Sequence, residues 1–214
     1  MLGRLAVAIV LIAVIVAVRW TKIGKEAEPT SLTTIVRILD GDTMELGNGE
    51  TVRLLAIDTP EKGEKLYAEA GDLLRRVAQG KEARLVGAGR ARDRYGRLLA
   101  YVYIDDTLMV NRVMVDSGMA YVYLFEDTDS RREETAMMIS SQRGDMDRAV
   151  GLWGIKHKAE TRYVARAGSY RFHRPGCSSL DDEYESAKPG KYRMFATRNE
   201  ALYEGLSPCR RCKP

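Results

Sequence analysis

Short runs in which hydrophobic and polar residues alternate dominate the chain after residue 32, and this pattern is typical of strands buried on one face. The second and third runs flank Gly47-Asn48-Gly49, whose Asn-Gly step suits a tight hairpin turn. The pattern predicts five strands, at residues 33–39, 43–46, 50–57, 83–86 and 97–104.

Hydrophobic residues at helical spacing predict three helices among and after these strands. The first lies between Leu66 and Gly80, and the second is short and ends at Gly118. The third begins at a capping box, residues 130–133, and runs to Gly151. A small closed β-barrel of the oligonucleotide-binding (OB) type accommodates this order of elements. The expected fold class is mainly β with helices (α+β), with five strands and three helices.

An unbroken apolar run of 14 residues, Leu5 to Val18, stands apart from this pattern. As a helix it spans roughly 21 Å, which is short of a ~30 Å hydrocarbon core unless flanking arginines reach outward. It is apolar on every side, unlike a surface helix of a soluble core. No small-residue cleavage site follows it, which favours an uncleaved signal-anchor over a cleaved signal peptide. We expect an anchor at residues 1–23, a linker at 24–32 and a domain at 33–156, held at the cell membrane on its extracytoplasmic side.

Composition and charge divide the rest of the chain in two. With 214 residues, 45% hydrophobic and 30% charged, the chain is neither wholly disordered nor a multi-span membrane protein. The formal net charge is only +4, but residues 157–214 hold 12 Lys and Arg against 7 Asp and Glu. All three cysteines lie in the same segment. We therefore expect a separate C-terminal module at residues 157–214.

Charged residues gather at the ends of the predicted barrel strands. Asp42 lies in the Asp-Gly-Asp-Thr turn after the first strand, and Asp58 and Glu61 follow the third. Such a turn alone is ordinary, but hard oxygen ligands in this number suit Ca²⁺ or Mg²⁺. Arg53 and Arg97 add two guanidinium groups, which neutralise a phosphodiester as it becomes pentacovalent.

One geometric condition must hold for these residues to meet. Period-two alternation places Arg53 and Asp58 on opposite faces of one strand. They converge only if that strand curls or breaks near Asp58, and Pro60 is the residue expected to break it.

Six segments carry a resemblance to the staphylococcal nuclease (thermonuclease) family over residues 33–154. They are Asp40-Gly41-Asp42-Thr43, Arg53 to Glu61, Tyr95-Gly96-Arg97, Val110-Asn111, Gly118-Met119-Ala120 and Gly151-Leu152-Trp153. The resemblance implies a five-stranded barrel with three helices that hydrolyses DNA or RNA. It implies Ca²⁺ ligation by Asp42, Asp58 and the Thr59 carbonyl. It also implies phosphate contacts from Arg53 and Arg97 and water activation by Glu61.

Two interpretations of Tyr121 and Tyr123 stay open. They stack on a nucleobase or contact a phosphate, or they are half-buried aromatic residues of a strand.

Four metal-ligating residues fall in two pairs in the C-terminal module. His173 and Cys177 are spaced H-x-x-x-C, and Cys209 and Cys212 are spaced C-x-x-C, which fits one tetrahedral Zn²⁺ site. A hairpin over residues 163–172 is expected to deliver His173. The alternative is a Cys209–Cys212 disulfide with Cys177 free, which an oxidising compartment would favour.

The same residues resemble the small metal-binding domain of the DNA alkylation-repair protein Ada. The resemblance covers about 45 residues and rests on Tyr170, His173, Pro175, Cys177, Phe195, Glu200-Ala201, Gly205 and Pro208 to Pro214. It implies a structural zinc and a surface that contacts nucleic acid. Because His173 stands where that domain has a thiolate, methyl-acceptor chemistry is not expected.

These features together indicate a membrane-anchored, monomeric, Ca²⁺-dependent nuclease with a zinc-bearing tail. The alternative is a catalytically silent nucleic-acid-binding protein on the same fold. Loss of a metal ligand or an arginine would favour that alternative, and the sequence retains all of them.

Overall fold

A computed structural model describes residues 30–124, 133–180, 184 and 188–214. The predicted anchor, most of the linker and the capping box at residues 130–133 lie outside these residues, except that Glu133 is described. Within the described part of the chain, every helix is too short or too polar to cross a membrane.

Five strands form a closed barrel, in the order β3-β2-β1-β5-β6. The parallel pair of β3 and β6, with Arg53 opposite Leu99, closes the ring. The strands up to residue 124 are β1 (Thr30–Ile38), β2 (Thr43–Leu46), β3 (Thr51–Leu54), β4 (Ile57–Asp58), β5 (Glu82–Arg92), β6 (Leu98–Ile104), β7 (Leu108–Met109) and β8 (Tyr121–Val122). The predicted five-stranded barrel of mainly β, α+β class is confirmed.

The three predicted helices pack around this barrel. They are α1 (Tyr67–Ala78), α2 (Val110–Asp116) and α3 (Glu133–Arg148), and a short 3₁₀ helix (Gly151–Gly154) follows α3. Helix α1 buries Ala70, Leu74 and Ala78, which recur every four residues and face the barrel core.

The third predicted strand breaks earlier than Pro60. Strand β3 ends at Leu54, and Ala56 adopts a left-handed backbone with φ of 60° before β4 begins. Leu55 keeps the chain against the barrel because its N–H donates to the carbonyl of Ala100 at 2.9 Å. This turn removes the strict alternation and brings Asp58 to the same side as Arg53.

Asn111, at the start of α2, fixes this turn from inside the protein. Its side chain is fully buried, and its Oδ1 accepts from the N–H of Val102 at 2.9 Å. Its Nδ2 donates to the carbonyl of Leu55 at 2.8 Å and to that of Ala100 at 3.3 Å. One buried amide therefore ties α2, β6 and the Leu55 turn together.

The C-terminal module is a second small sheet, in the order β11-β9-β10-β12. Its elements are β9 (Tyr163–Arg166), β10 (Arg171–His173), β11 (Tyr192–Phe195), α4 (Arg198–Tyr203) and β12 (Ser207–Pro208). The hairpin of β9 and β10 delivers His173, as the sequence predicts. Helix α4 begins at Thr197, whose hydroxyl accepts from the N–H of Glu200 at 3.1 Å.

Module and barrel share a buried boundary. Gln142 on α3 is fully buried, and its Oε1 accepts from the N–H of Val122 at 2.8 Å. Its Nε2 donates to the carbonyl of Leu202 on α4 at 2.9 Å. Around it, Tyr121 and Trp153 pack against the hydrophobic cluster of the module. These contacts fix the position of the module relative to the barrel.

Replacement of Asn111 by Ala is expected to lower the free energy of unfolding by about 3 kcal/mol. The substitution leaves the buried N–H of Val102 and the carbonyl of Leu55 without this partner, and each loss costs about 1–3 kcal/mol. Urea unfolding followed by circular dichroism measures the difference. Arg112→Ala is the control, because Arg112 is exposed and pairs only with a neighbouring surface carboxylate of α2 among its described ion pairs. Equal stability of the two variants would contradict the role assigned to Asn111.

Candidate active site

The Asp-Gly-Asp-Thr turn between β1 and β2 lies at one end of the barrel, against the segment that follows β4. Gly41 makes this approach possible, since a Cβ atom there would lie 2.8 Å from Oγ1 of Thr59 and 2.9 Å from Cβ of Ala70. The carbonyl of Asp42 accepts from the N–H of Leu54 at 2.8 Å. The turn is therefore held beside Arg53.

Two buried carboxylates converge on one guanidinium group. Nη2 of Arg53 lies 3.0 Å from Oδ2 of Asp42 and 3.4 Å from Oδ1 of Asp58. The same nitrogen donates to the carbonyl of Ile57 at 3.0 Å. Burial raises the pKa of Asp42, although the charge of Arg53 opposes that shift. The negative charge concentrated here is only partly balanced by Arg53.

These residues fit a hard divalent cation. Asp42 and Asp58 are 5% and 4% exposed, and Thr59, whose carbonyl is the third predicted ligand, is also buried. Oxygen donors of this kind suit Ca²⁺ or Mg²⁺. Two carboxylates held this close in a buried place repel each other, and a bound cation relieves that repulsion.

Arg97 reaches the same end of the barrel from the start of β6. Its Nη1 donates to Oγ1 of Thr43 at 3.1 Å, and its Nε donates to Oδ2 of Asp93 at 2.8 Å. Partial burial alone would raise the pKa of Asp93, but hydrogen bonds from Arg97 and Tyr95 outweigh it and lower that pKa. Thr43 in turn donates to Asp42 at 2.9 Å. Asp93 and Thr43 therefore hold Arg97 beside the carboxylates.

Glu61 lies on the open side of this group. Its side chain is 52% exposed, in contrast to Asp42 and Asp58. Its own backbone N–H donates to Oε2 of Glu64 at 2.9 Å, which holds the segment after β4 in a turn. A solvent-facing carboxylate beside buried ones is placed to bind water or accept a proton.

Tyr121 and Tyr123 both pack against arginines of the C-terminal module. The hydroxyl of Tyr121 accepts from Nη2 of Arg198 at 2.9 Å, and its ring meets Trp153 edge-on with centroids 5.2 Å apart. The guanidinium of Arg171 lies 3.9 Å from the centre of the Tyr123 ring. These contacts give both tyrosines a structural role at the boundary, and a contact with nucleic acid stays a prediction for them.

A cavity of about 250 Å³ opens between the barrel and the module, next to Glu61. Tyr121, Leu152 and Ile155 line it with apolar surface, and Arg198 and Lys213 add positive charge. It offers space beside the carboxylates for a planar, anionic group.

The four predicted zinc ligands come together in the module. One ligand atom from each of His173, Cys177, Cys209 and Cys212 lies within 4.8 Å of the other three. All three cysteines are free thiols, so the alternative disulfide is not formed in this structure. Such a Cys₃His arrangement fits a structural zinc site.

The protein stabilises the sulfur atoms of this cluster. The N–H of Arg174 donates to Sγ of Cys212 at 3.4 Å, and that of Ser179 to Sγ of Cys177 at 3.5 Å. Burial alone would raise the pKa of Cys209, but hydrogen bonds from backbone N–H groups outweigh it and lower that pKa. Burial and the neighbouring sulfur atoms raise the pKa of Cys212 to about 12. A metal ion removes this repulsion between thiolates.

Sequence reasoning missed two arginines of the module that reach the barrel carboxylates. Nη2 of Arg171 donates to Oδ2 of Asp58 at 3.1 Å, and Arg210 contacts both Asp58 and Glu61. The sequence shows only that each stands close to a predicted zinc ligand. Because the contact depends on how the module docks, no local signal could have found it.

Residues 51–154 match the family model described as staphylococcal nuclease homologue. The matched segment includes Arg53, Asp58, Glu61 and Arg97, and it begins after the Asp-Gly-Asp-Thr turn. It ends before the C-terminal module, so the resemblance of that module to the Ada domain stays a prediction.

Several curated proteins are similar to the chain over about half its length. An uncharacterized endonuclease of Escherichia coli O157:H7 is 39% identical over 98 residues, which are 44% of this chain and 63% of that protein. The SPbeta prophage-derived endonuclease YokF of Bacillus subtilis is 39% identical over 104 residues, 44% of this chain and 35% of that protein. An uncharacterized protein of Bacillus anthracis is 33% identical over 133 residues, 57% of this chain and 60% of that protein. The chain thus spans less than two thirds of each of these relatives, and the barrel is the part that carries its similarity to staphylococcal nuclease homologues.

Proposed function

We propose that the protein is a nuclease that hydrolyses phosphodiester bonds of DNA or RNA with the help of Ca²⁺. The observation that carries this proposal is the convergence of Asp42 and Asp58 on Arg53 at one end of the barrel. Arg97 and the exposed carboxylate of Glu61 border the same place. The family match and the endonuclease names of two relatives support the same activity.

Each residue then has a chemical task in the hydrolysis. Glu61 orients a water molecule and takes its proton as the water oxygen forms a bond to phosphorus. Arg53 and Arg97 donate hydrogen bonds to the non-bridging oxygens, which gain negative charge as phosphorus becomes pentacovalent. The ester bond opposite the water then breaks, and the leaving oxygen takes a proton from solvent. A divalent cation held by Asp42, Asp58 and the Thr59 carbonyl supplies further positive charge to the phosphate.

Two further proposals concern the ends of the chain. The Cys₃His cluster binds a structural Zn²⁺, and the basic module around it helps to hold the polyanion. The apolar run Leu5 to Val18 anchors the protein in the cell membrane, with the barrel on the extracytoplasmic side. This second proposal rests on sequence alone.

The nuclease proposal predicts Ca²⁺-dependent cutting by the full-length chain, purified in mild detergent. Single- and double-stranded DNA and RNA are incubated with Ca²⁺, with Mg²⁺ or with a chelator. Glu61→Gln and Arg97→Ala are each expected to lower kcat by at least about 10²-fold, because each removes a group that acts in the transition state. Glu69→Gln on the exposed face of α1 is the matched control and should cut like wild type. Salt-sensitive binding of DNA or RNA without cutting under any of these conditions would favour the silent binding protein instead.

The zinc proposal predicts one Zn²⁺ per chain in protein purified without chelator. His173→Ala should lose this zinc, because three remaining ligands hold the ion far less tightly. His157→Ala changes the other histidine of the chain, which is not among the four clustered ligands, and should retain it. Elemental analysis by mass spectrometry measures both. Zinc retained in His173→Ala would exclude the Cys₃His site.

The anchoring proposal predicts that the full chain sediments with the membrane fraction of cells. Deletion of residues 5–18 should release it, since about 14 apolar residues supply the insertion energy. Protease added outside intact spheroplasts should digest the barrel. Protection of the barrel in that experiment would place it on the cytoplasmic side.

A further inference from the structure

Arg210 spans two carboxylates to which the proposed reaction gives different tasks. Its Nε lies 3.2 Å from Oδ2 of Asp58, and its Nη2 contacts the other oxygen of the same carboxylate. Its Nη1 contacts Oε1 of Glu61. One guanidinium group therefore bridges the predicted cation ligand and the predicted base.

The place that Arg210 occupies is where a scissile phosphate has to lie. The phosphate must be next to the cation ligand and also next to the water that Glu61 holds. The side chain of Arg210 is 45% exposed, whereas that of Arg53 is 9% exposed and lies beneath the carboxylates. Of these two arginines, Arg210 is the one on the side from which a substrate arrives.

The metal cluster of the module fixes the backbone at this position. Arg210 stands between two of the clustered ligands, Cys209 and Cys212. The N–H of Cys209 donates to the carbonyl of Phe172, and the N–H of Lys213 donates to the carbonyl of Cys209, both at 2.9 Å. The loop that carries Arg210, residues 209–212, is thus held at both ends.

Asp58 cannot keep all its present partners when it binds a cation. Its two oxygens are shared by Arg53, Arg171 and Arg210. Arg210 is the most exposed of the three, so it is the partner that gives way most easily. A guanidinium group displaced from Asp58 keeps its donors at the substrate side, where bidentate hydrogen bonds to phosphate oxygens replace the lost ones.

We propose that Arg210 is a third phosphate-binding arginine of the active site, presented by the metal-bound loop of residues 209–212. The inference rests on the proposed nuclease function and extends it. It makes the C-terminal module a part of the catalytic apparatus, because the barrel alone supplies only Arg53 and Arg97. Removal of Arg210 lowers transition-state stabilisation, and it also removes a positive charge that competes with the cation for Asp58.

The test compares Arg210→Ala, Arg210→Lys and Arg211→Ala with the wild-type full chain. Arg211 is the matched control, since it lies in the same loop and contacts Oγ of Ser178 at 3.0 Å instead of the barrel carboxylates. Arg210→Ala should lower kcat on the order of 10²-fold, as loss of one transition-state donor does, and Arg210→Lys should recover part of it. Isothermal titration calorimetry should at the same time show tighter Ca²⁺ binding by Arg210→Ala. Arg211→Ala should match wild type in both measurements.

The combined readout separates the possible roles of Arg210. Lower kcat with tighter Ca²⁺ binding supports the proposal, because a folding defect would weaken both. Unchanged kcat would overturn it and leave a surface ion pair. Higher kcat would also overturn it, and it would show that Arg210 blocks the site. If the wild-type protein does not cut at all, the proposed function itself fails, which is a different result from active wild type with an equally active Arg210→Ala.

A double substitution tests the part played by the cluster. If the metal acts by presenting Arg210, His173→Ala and Arg210→Ala should lower kcat together no more than the larger single effect. Losses that multiply in the double variant would show that the cluster does not position this arginine.

Discussion

The close approach of two buried carboxylates is the constraint on which the rest of this structure depends. Asp42 and Asp58 lie at neighbouring places because β2 and β3 are paired, and Arg53 between them is the first compensation for their charge. Unpaired carboxylates at this depth would be protonated or would destabilise the fold. Arginines from the strand side and from the module side surround them, and the barrel end is thereby prepared for a ligand that carries both positive and negative charge.

Much of the barrel and the identity of its charged residues could be predicted from sequence, because both depend on local patterns. Alternation marked the strands, and the Asn-Gly hairpin aligned β2 with β3. The position of the strand break could not be read in the same way. Pro60 is the obvious breaker, but the chain turns at Ala56, an alanine with positive φ, because Asn111 holds the neighbouring Leu55 carbonyl from across the core. A long-range hydrogen bond decided a local conformation.

The boundary between barrel and module was also beyond local sequence signals. Gln142 reads as one polar residue of an amphipathic helix, yet it is fully buried and bonded to both parts. Tyr121 likewise reads as a residue that meets solvent or substrate, but Arg198 and Trp153 cover it. The residues of such a boundary become visible only when the docked arrangement is known, because each satisfies a partner more than 20 positions away in the chain or close to it.

Metal ligands and barrel contacts alternate along the chain of the module. Arg171 precedes His173 by two residues on β10, and Arg210 directly follows Cys209. The two proposed metals would therefore act on one site at very different rates of exchange. The site of Asp42 and Asp58 borders the open side of the barrel, whereas His173, Cys177 and Cys209 enclose the other ion in the module. Calcium would follow the surrounding concentration from moment to moment, and zinc would record whether the protein was assembled correctly.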